Sequence, residues 1–159
     1  MIIRRGQTPV DLGTEEDRQK YGPSESLHLS DAGGLTEFGA HGQTLQPGSR
    51  SSDRHWHEQE DEFLYNISGE ATVVEEDGAH PLRPGDAACW PAGVANAHQV
   101  VNCSEAPCTY LVVGSRGPVQ NVTRYPDRGN VLYDFEDGSW RLQRTDGTVI
   151  REGKVREGE

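Results

Sequence analysis

Short apolar runs, broken by glycine, proline and Asp-Gly steps, make up most of this 159-residue chain. Leu35 to Leu45, Arg54 to His57, Glu62 to Ser68, Ala71 to Glu75, Asp86 to Trp90 and Ala97 to Val101 each read as a strand. Thr109 to Val113 is the most apolar strand of all. Pro47-Gly48, Ser68-Gly69, Asp77-Gly78, Pro84-Gly85 and Pro91-Ala92-Gly93 supply turns between them, and Asp-Gly is a strong hairpin signal. Further on, Val131 to Phe135 and Trp140 to Arg144 flank Asp137-Gly138, and Asp146-Gly147 closes a second hairpin. No window carries a helical stripe. Strands recurring every 8 to 12 residues or so with turns between them predict an all-β sandwich or barrel rather than a parallel α/β sheet.

The chain divides into three stretches of one domain. Residues 1–34 are polar and irregular, with an acidic cluster at Glu15-Glu16-Asp17, and are expected to wrap the outside, with room for one short strand or helical turn. Residues 35–125 form the barrel core, and residues 126–159 form a hairpin extension with a charged, frayed tail from Arg151. Alternation along a strand sends neighbouring side chains to opposite faces. If Glu62 points inward, so do Leu64 and Asn66, while Phe63, Tyr65 and Ile67 point outward, as does Trp56 relative to its neighbours. The outward apolar groups either pack under the N-terminal segment or, as the favoured reading, form a homodimer face. Asn66, polar and inward, is a candidate to orient a bound small molecule, or else to bond buried backbone.

Charge narrows the partners. The formal net charge is -11, from 26 acidic and 15 basic residues, a field that repels nucleic acid and anionic membrane surfaces. Only Lys20 and Lys154 are lysines, which argues against Schiff-base chemistry. Cys89, Cys103 and Cys108 form no CxxC pair, and the short apolar start Met1-Ile2-Ile3 before Arg4-Arg5 is no signal peptide. These features predict a cytoplasmic protein with reduced thiols.

The candidate chemistry begins at His55-Trp56-His57. Residues two apart on a strand face the same way, so His55 and His57 aim their imidazoles at one point, and a strand return can bring Glu62 there. Two imidazoles and a carboxylate suit a divalent transition metal. Gly48, His55-Trp56-His57, Glu62 and Gly69, followed by Gly85, Pro91-Ala92-Gly93, His98 and Asn102, resemble the two signature motifs of the cupin family. One extra residue separates Gly48 from His55, and four residues rather than the usual two separate Gly93 from His98. Asn96 therefore stands where the usual spacing puts the histidine. Two extra residues keep the alternation of faces, the spacing from His98 to Asn102 is intact, and imidazole is the better ligand, all of which favours His98 over Asn96.

The resemblance implies a double-stranded β-helix, or jelly roll, holding one metal ion (iron, manganese, nickel or zinc) through His55, His57, Glu62 and His98. Tyr125-Pro126-Asp127 and Asp146-Gly147 also resemble small stand-alone bacterial cupins. Such a site implies a metal-dependent enzyme acting on a small polar metabolite, by dioxygenase, isomerase or epimerase, or lyase chemistry. The alternative is a non-catalytic module that binds a sugar or an organic acid. Glu60 and Asp61 read as solvated, and His28, His41 and His80 as ordinary surface or strand histidines. His41 is the exception to watch, because its strand can face the pocket. Trp90 and Tyr110 lie on strands next to the pocket, and the acid or base beyond the ligands is not legible.

Overall fold

The computed structural model describes residues 1–116 and 120–154. Thr14 opens the first regular element: its side chain accepts from the Asp17 backbone N–H, and the Asp17 carboxylate accepts from the Thr14 backbone N–H. This capping box places Glu15, Glu16 and Asp17 in the first turn of helix α1 (Glu15–Tyr21), where acidic groups meet the positive end of the helix dipole. The stretch expected to be irregular, with room for one short strand or helical turn, thus holds a helix that starts at the acidic cluster.

Strand β1 (Ser24–His28), the single turn α2 (Leu29–Ala32) and β2 (Phe38–Leu45) follow. Next come β3 (Trp56–His57), β4 (Glu62–Ser68), β5 (Ala71–Glu75), β6 (Gly78–Leu82), β7 (Ala87–Trp90), β8 (Gln99–Val101) and β9 (Cys108–Ser115). The chain continues through β10 (Gln120–Tyr125), a 3₁₀ turn at Pro126–Arg128, β11 (Asn130–Phe135), β12 (Ser139–Arg144) and β13 (Val149–Lys154). The sequence pattern misses β6, β10 and most of β13. Residues 151–154, expected to fray, pair with β12, while 155–159 lie outside the described residues.

All strand pairings are antiparallel, as expected for an all-β jelly roll. One sheet runs β1-β2-β9-β4-β7, a second β6-β5-β8 and a third β13-β12-β11-β10-β3. Single bridges from Arg50 to Val101 and from His55 to His98 tie the 50–55 segment to β8. The N-terminal segment supplies an edge strand to the first sheet, and β10–β13 extend the sheet that contains β3. The β5–β6 register pairs Glu75 with Gly78, so the hairpin turn is Glu76-Asp77, one residue earlier than the Asp-Gly signal suggests.

The core packs between the first two sheets. Leu45, Leu64, Trp90, Tyr110 and Val112 from the first meet Ala71, Val73 and Val100 from the second. Alternation in β4 follows the sequence pattern: Leu64 and Asn66 are fully buried, whereas Phe63, Tyr65 and Ile67 are 37%, 41% and 52% exposed. Trp56 is half-buried with the Arg124 guanidinium 5.8 Å from its ring.

Two motif positions serve the fold itself. Gly69 adopts φ +71°, and a Cβ there would lie 2.8 Å from Cys108 Cα and closer still to Pro107 O; only glycine fits. Asn102 is fully buried. Its Nδ2 donates to Leu45 O (2.9 Å) and Ala106 O (2.8 Å), locking the 102–107 loop onto β2. Among the described residues no helix is long and apolar enough to cross a membrane.

Candidate metal centre

The site is assembled by strand pairing. His55 and His98 form an isolated antiparallel bridge and exchange both backbone hydrogen bonds (3.0 and 2.9 Å). Residues directly opposite in such a pair project to one face, which brings the two imidazole centroids to 5.1 Å. His57, two residues on, sits edge-on to His55 at 5.0 Å. Glu62 enters from β4, where it lies opposite Trp90 and Gly114. The His98 ring stacks on Trp90 at 3.8 Å and 11°.

Backbone carbonyls fix the tautomers. His55 Nδ1 lies 3.0 Å from Asp53 O, and His98 Nδ1 lies 3.2 Å from Asn96 O. A carbonyl only accepts, so each Nδ1 carries the proton and each Nε2 turns a lone pair inward. His98 Nε2 is 3.4 Å from Glu62 Oε2 yet buried with no hydrogen-bond partner among the described residues. Ligand atoms of His55, Glu62 and His98 all lie within 4.8 Å of one another. Converging lone pairs with no hydrogen between them fit a cation at their centre, and the N,N,O donor set suits a first-row divalent metal.

His57 falls outside that tight group, although its Nε2 is 3.3 Å from Glu62 Oε2. Its Nδ1 approaches Thr123 Oγ1 at 3.2 Å and Glu60 Oε2 at 3.6 Å. Electrostatics follow the geometry. Burial pushes the His55 imidazolium down to a pKa of about 4. Burial opposes a charged Glu62, but the adjoining His57, together with His98 when that ring is protonated, outweighs it and holds the carboxyl well below the usual range. Burial also works against the His57 cation, and Glu62 and Glu60 overcome it to raise that pKa.

Asn96 contributes its backbone carbonyl to His98 and does not line the cavity beside the cluster. Asn66 does not line it either. Its Nδ2 donates to Gly69 O (2.9 Å) and Leu82 O (2.8 Å), so it pins the β4–β5 turn instead of meeting a ligand. Asn66 thus makes the buried backbone bonds named as its other role, while its Oδ1 has no hydrogen-bond partner among the described residues.

The cavity, about 410 Å³, is walled by His41 and Tyr110, which the sequence places on strands near the pocket, and by residues such as Gly39 and Gln43 that it passes over. Leu45 is fully buried, and two-residue alternation back along β2 carries Gln43, His41 and Gly39 to the same wall. That count back from Leu45 is the signal that finds them. Across from β2, Tyr110 donates to Gln43 Oε1 at 2.7 Å, and burial keeps its phenol protonated by raising its pKa. Glu60, expected to be solvated, lines the cavity and is half-buried. His41 makes no side-chain hydrogen bond among the described residues; burial, then the nearby His28, lower its pKa. A second ligand-type group, Glu75, Asp77 and His80, sits at the β5–β6 turn, with His80 Nε2 2.8 Å from Asp77 Oδ1.

The family model for the Cupin domain matches residues 42–114. A sugar phosphate isomerase of the cupin superfamily from Silicibacter pomeroyi is 37% identical, with 89% of each chain covered and a TM-score of 0.80. An Acidithiobacillus ferrooxidans protein with a provisional sugar phosphate isomerase assignment is 33% identical, with 85% of this chain and 82% of that one covered and a TM-score of 0.72. A polyketide cyclase from Streptomyces resistomycificus shares the fold at 22% identity, covering 79% and 84% with a TM-score of 0.62. No curated protein sequence matches the chain.

Proposed function

The chain belongs to the cupin superfamily, and from that premise we propose that it is a metal-dependent isomerase of a phosphorylated sugar. The observation that carries this reading is the convergence of His55, Glu62 and His98 on one point, with His98 Nε2 buried and unpartnered among the described residues. The relatives at 37% and 33% identity supply the reaction class. In the proposal His55, His57, Glu62 and His98 hold one divalent ion of iron, manganese, nickel or zinc. When bound, such an ion polarises a sugar carbonyl as a Lewis acid.

The chain's own groups account for the rest. Interconverting an aldose and a ketose requires a proton to leave the carbon beside the carbonyl and return to its neighbour. His41 lines the cavity with both ring nitrogens free of protein hydrogen bonds among the described residues, and its lowered pKa leaves it neutral and able to accept that proton. Tyr110 and Gln43, bonded to one another, and the hydroxyls of Ser51 and Ser52 offer donors and acceptors to sugar hydroxyls. The outward Phe63, Tyr65 and Ile67 support a homodimer through the β4 face, and three free thiols fit a cytoplasmic setting.

The test combines metal content with proton exchange. Protein purified without a histidine tag, metal-free and reconstituted, is incubated with five- and six-carbon aldose and ketose phosphates in D₂O. Metal-dependent deuterium uptake beside the carbonyl is expected, and His41→Gln lowers its rate about 100-fold or more while metal content is unchanged. Metal-loaded protein that binds these sugars and exchanges no proton is a binding module instead.

A further inference from the structure

A second cavity, about 600 Å³, lies between the 50–54 segment, the Pro126–Arg128 turn and the β12–β13 hairpin, and Gln99 lines both it and the first cavity. We propose that it is a binding site for a phosphate-class dianion. The inference stands apart from the metal reading, since no metal ligand lines this cavity.

The argument is one of charge. In a chain of net charge -11, four arginines, Arg50, Arg54, Arg128 and Arg144, converge on this space. Arg54 is fully engaged: it grips Asp127 through Nε (2.8 Å) and Nη2 (2.6 Å) and donates to Glu75 O (3.0 Å). Glu76 adds a carboxylate 3.4 Å from the same guanidinium. Arg128, Arg50 and the neighbouring Lys20 share one carboxylate. Asp53 lies 2.6 Å from Arg128, 2.8 Å from Lys20 and 3.8 Å from Arg50. Arg144 has no ion-pair partner among the described residues; Asp146, on the adjoining turn, feels its charge without lining the cavity. Among the residues that line the cavity, the four arginines thus face two carboxylates, Asp53 and Asp127, an excess of two positive charges.

Like charges held together without counter-charge repel, and a dianion with three or more acceptor oxygens relieves this while matching the guanidinium fork. The Asn130 and Gln99 amides on the same wall add neutral donors. Inorganic phosphate and the phosphate group of a sugar share this chemistry. Arg50 and Arg128 are the near wall, and Arg144 is the free fork.

The experiment titrates inorganic phosphate into the full-length protein by calorimetry, at low salt because screening weakens such contacts. Wild type, Arg144→Gln, Arg50→Gln and Glu62→Gln are compared, with circular dichroism confirming each fold. Saturable binding is expected in wild type and Glu62→Gln, weakened about tenfold or more in each arginine variant. Metal uptake in the arginine variants stays at the wild-type level, which separates failure of this site from failure of the metal site. No saturable binding up to 10 mM or so, equal binding in the arginine variants, or loss only in Glu62→Gln overturns the proposal. Adding glucose 6-phosphate to phosphate-saturated protein distinguishes the source: mutual displacement identifies a substrate's own phosphate, and simultaneous binding identifies free phosphate as a separate ligand.

Discussion

Glu62→Gln preserves shape and removes the anionic donor from the proposed metal site, whose oxygen lies 3.3 Å from His57 Nε2 and 3.4 Å from His98 Nε2. A metal supplied at about 100 times its Kd stabilises the wild-type fold by about 2.7 kcal/mol. At about 2–4 °C per kcal/mol for a chain of this size, the melting temperature rises by about 5–11 °C. If loss of the carboxylate weakens binding about 100-fold, the same metal concentration only equals the new Kd. The stabilisation then drops to about 0.4 kcal/mol and the shift to about 1 °C. The assay is thermal unfolding with and without manganese, iron or zinc, read as the shift within each variant. That internal comparison removes any stability the variant loses in the metal-free state. His57→Ala is expected to lose metal and some thermal stability together. His80→Ala is the decisive control, because Glu75, Asp77 and His80 form the other ligand-type group. A full shift in Glu62→Gln, with its loss in His80→Ala, would falsify the barrel site and move the metal to the β5–β6 turn.

Three more outcomes follow from the same geometry. In metal-free protein His55, at about 4 when folded, stays neutral while the unfolded chain protonates it near 6.5. The unfolded state then binds more protons between those values, so stability is lost as pH drops, at about 1.4 kcal/mol per unit. His41, also lowered, adds the same sign, whereas His57, raised, is protonated in both states below 6.5 and adds no slope there. Urea midpoints are expected to show a loss of about 2 kcal/mol between pH 6.5 and 5, and a flat profile contradicts the burial argument. Gly69→Ala is expected to cost about 3 kcal/mol or more, since its Cβ meets Pro107 O and Cys108 Cα at positive φ; wild-type stability would refute the close packing. Tyr65→Glu, on the exposed β4 face, is expected to shift light-scattering mass from dimer to monomer, and an unchanged dimer mass would exclude that face.

Nine of the strands and the faces of β4 were legible because period-two alternation and turn residues are local signals. The elements missed depend on partners instead. β6 carries Pro81 and the exposed Gly78, Ala79 and His80, and it is a strand because β5 pairs with it along its whole length. β13 is polar and exposed, and it is held by β12. α1 buries no residue and rests on its cap, so no apolar stripe could announce it. Asn66 shows the limit of parity. Alternation correctly turns it inward, but inward at that depth means the β4–β5 turn and not the cavity, and only the positions of the Gly69 and Leu82 carbonyls decide between them.

The ligand set illustrates why spacing alone underdetermines a site and pairing completes it. His55 and His57 are set by their two-residue separation, but His98 lies forty-three residues beyond His55 in the chain, and the altered gap after Gly93 left Asn96 in contention. The backbone exchange between His55 and His98 resolves the geometry: two residues paired directly across a bridge must present their side chains on one face. The two extra residues are taken up in the 91–98 turn, where Gly93 N–H bonds His57 O at 3.0 Å, and Asn96 ends with its carbonyl on His98 Nδ1. One residue more or fewer would have turned the His98 ring to the opposite face. Asn96, the other residue in contention, thus sets the His98 tautomer through its carbonyl, and His98 Nε2 is left facing Glu62 Oε2 at 3.4 Å, the geometry on which the proposed metal site rests.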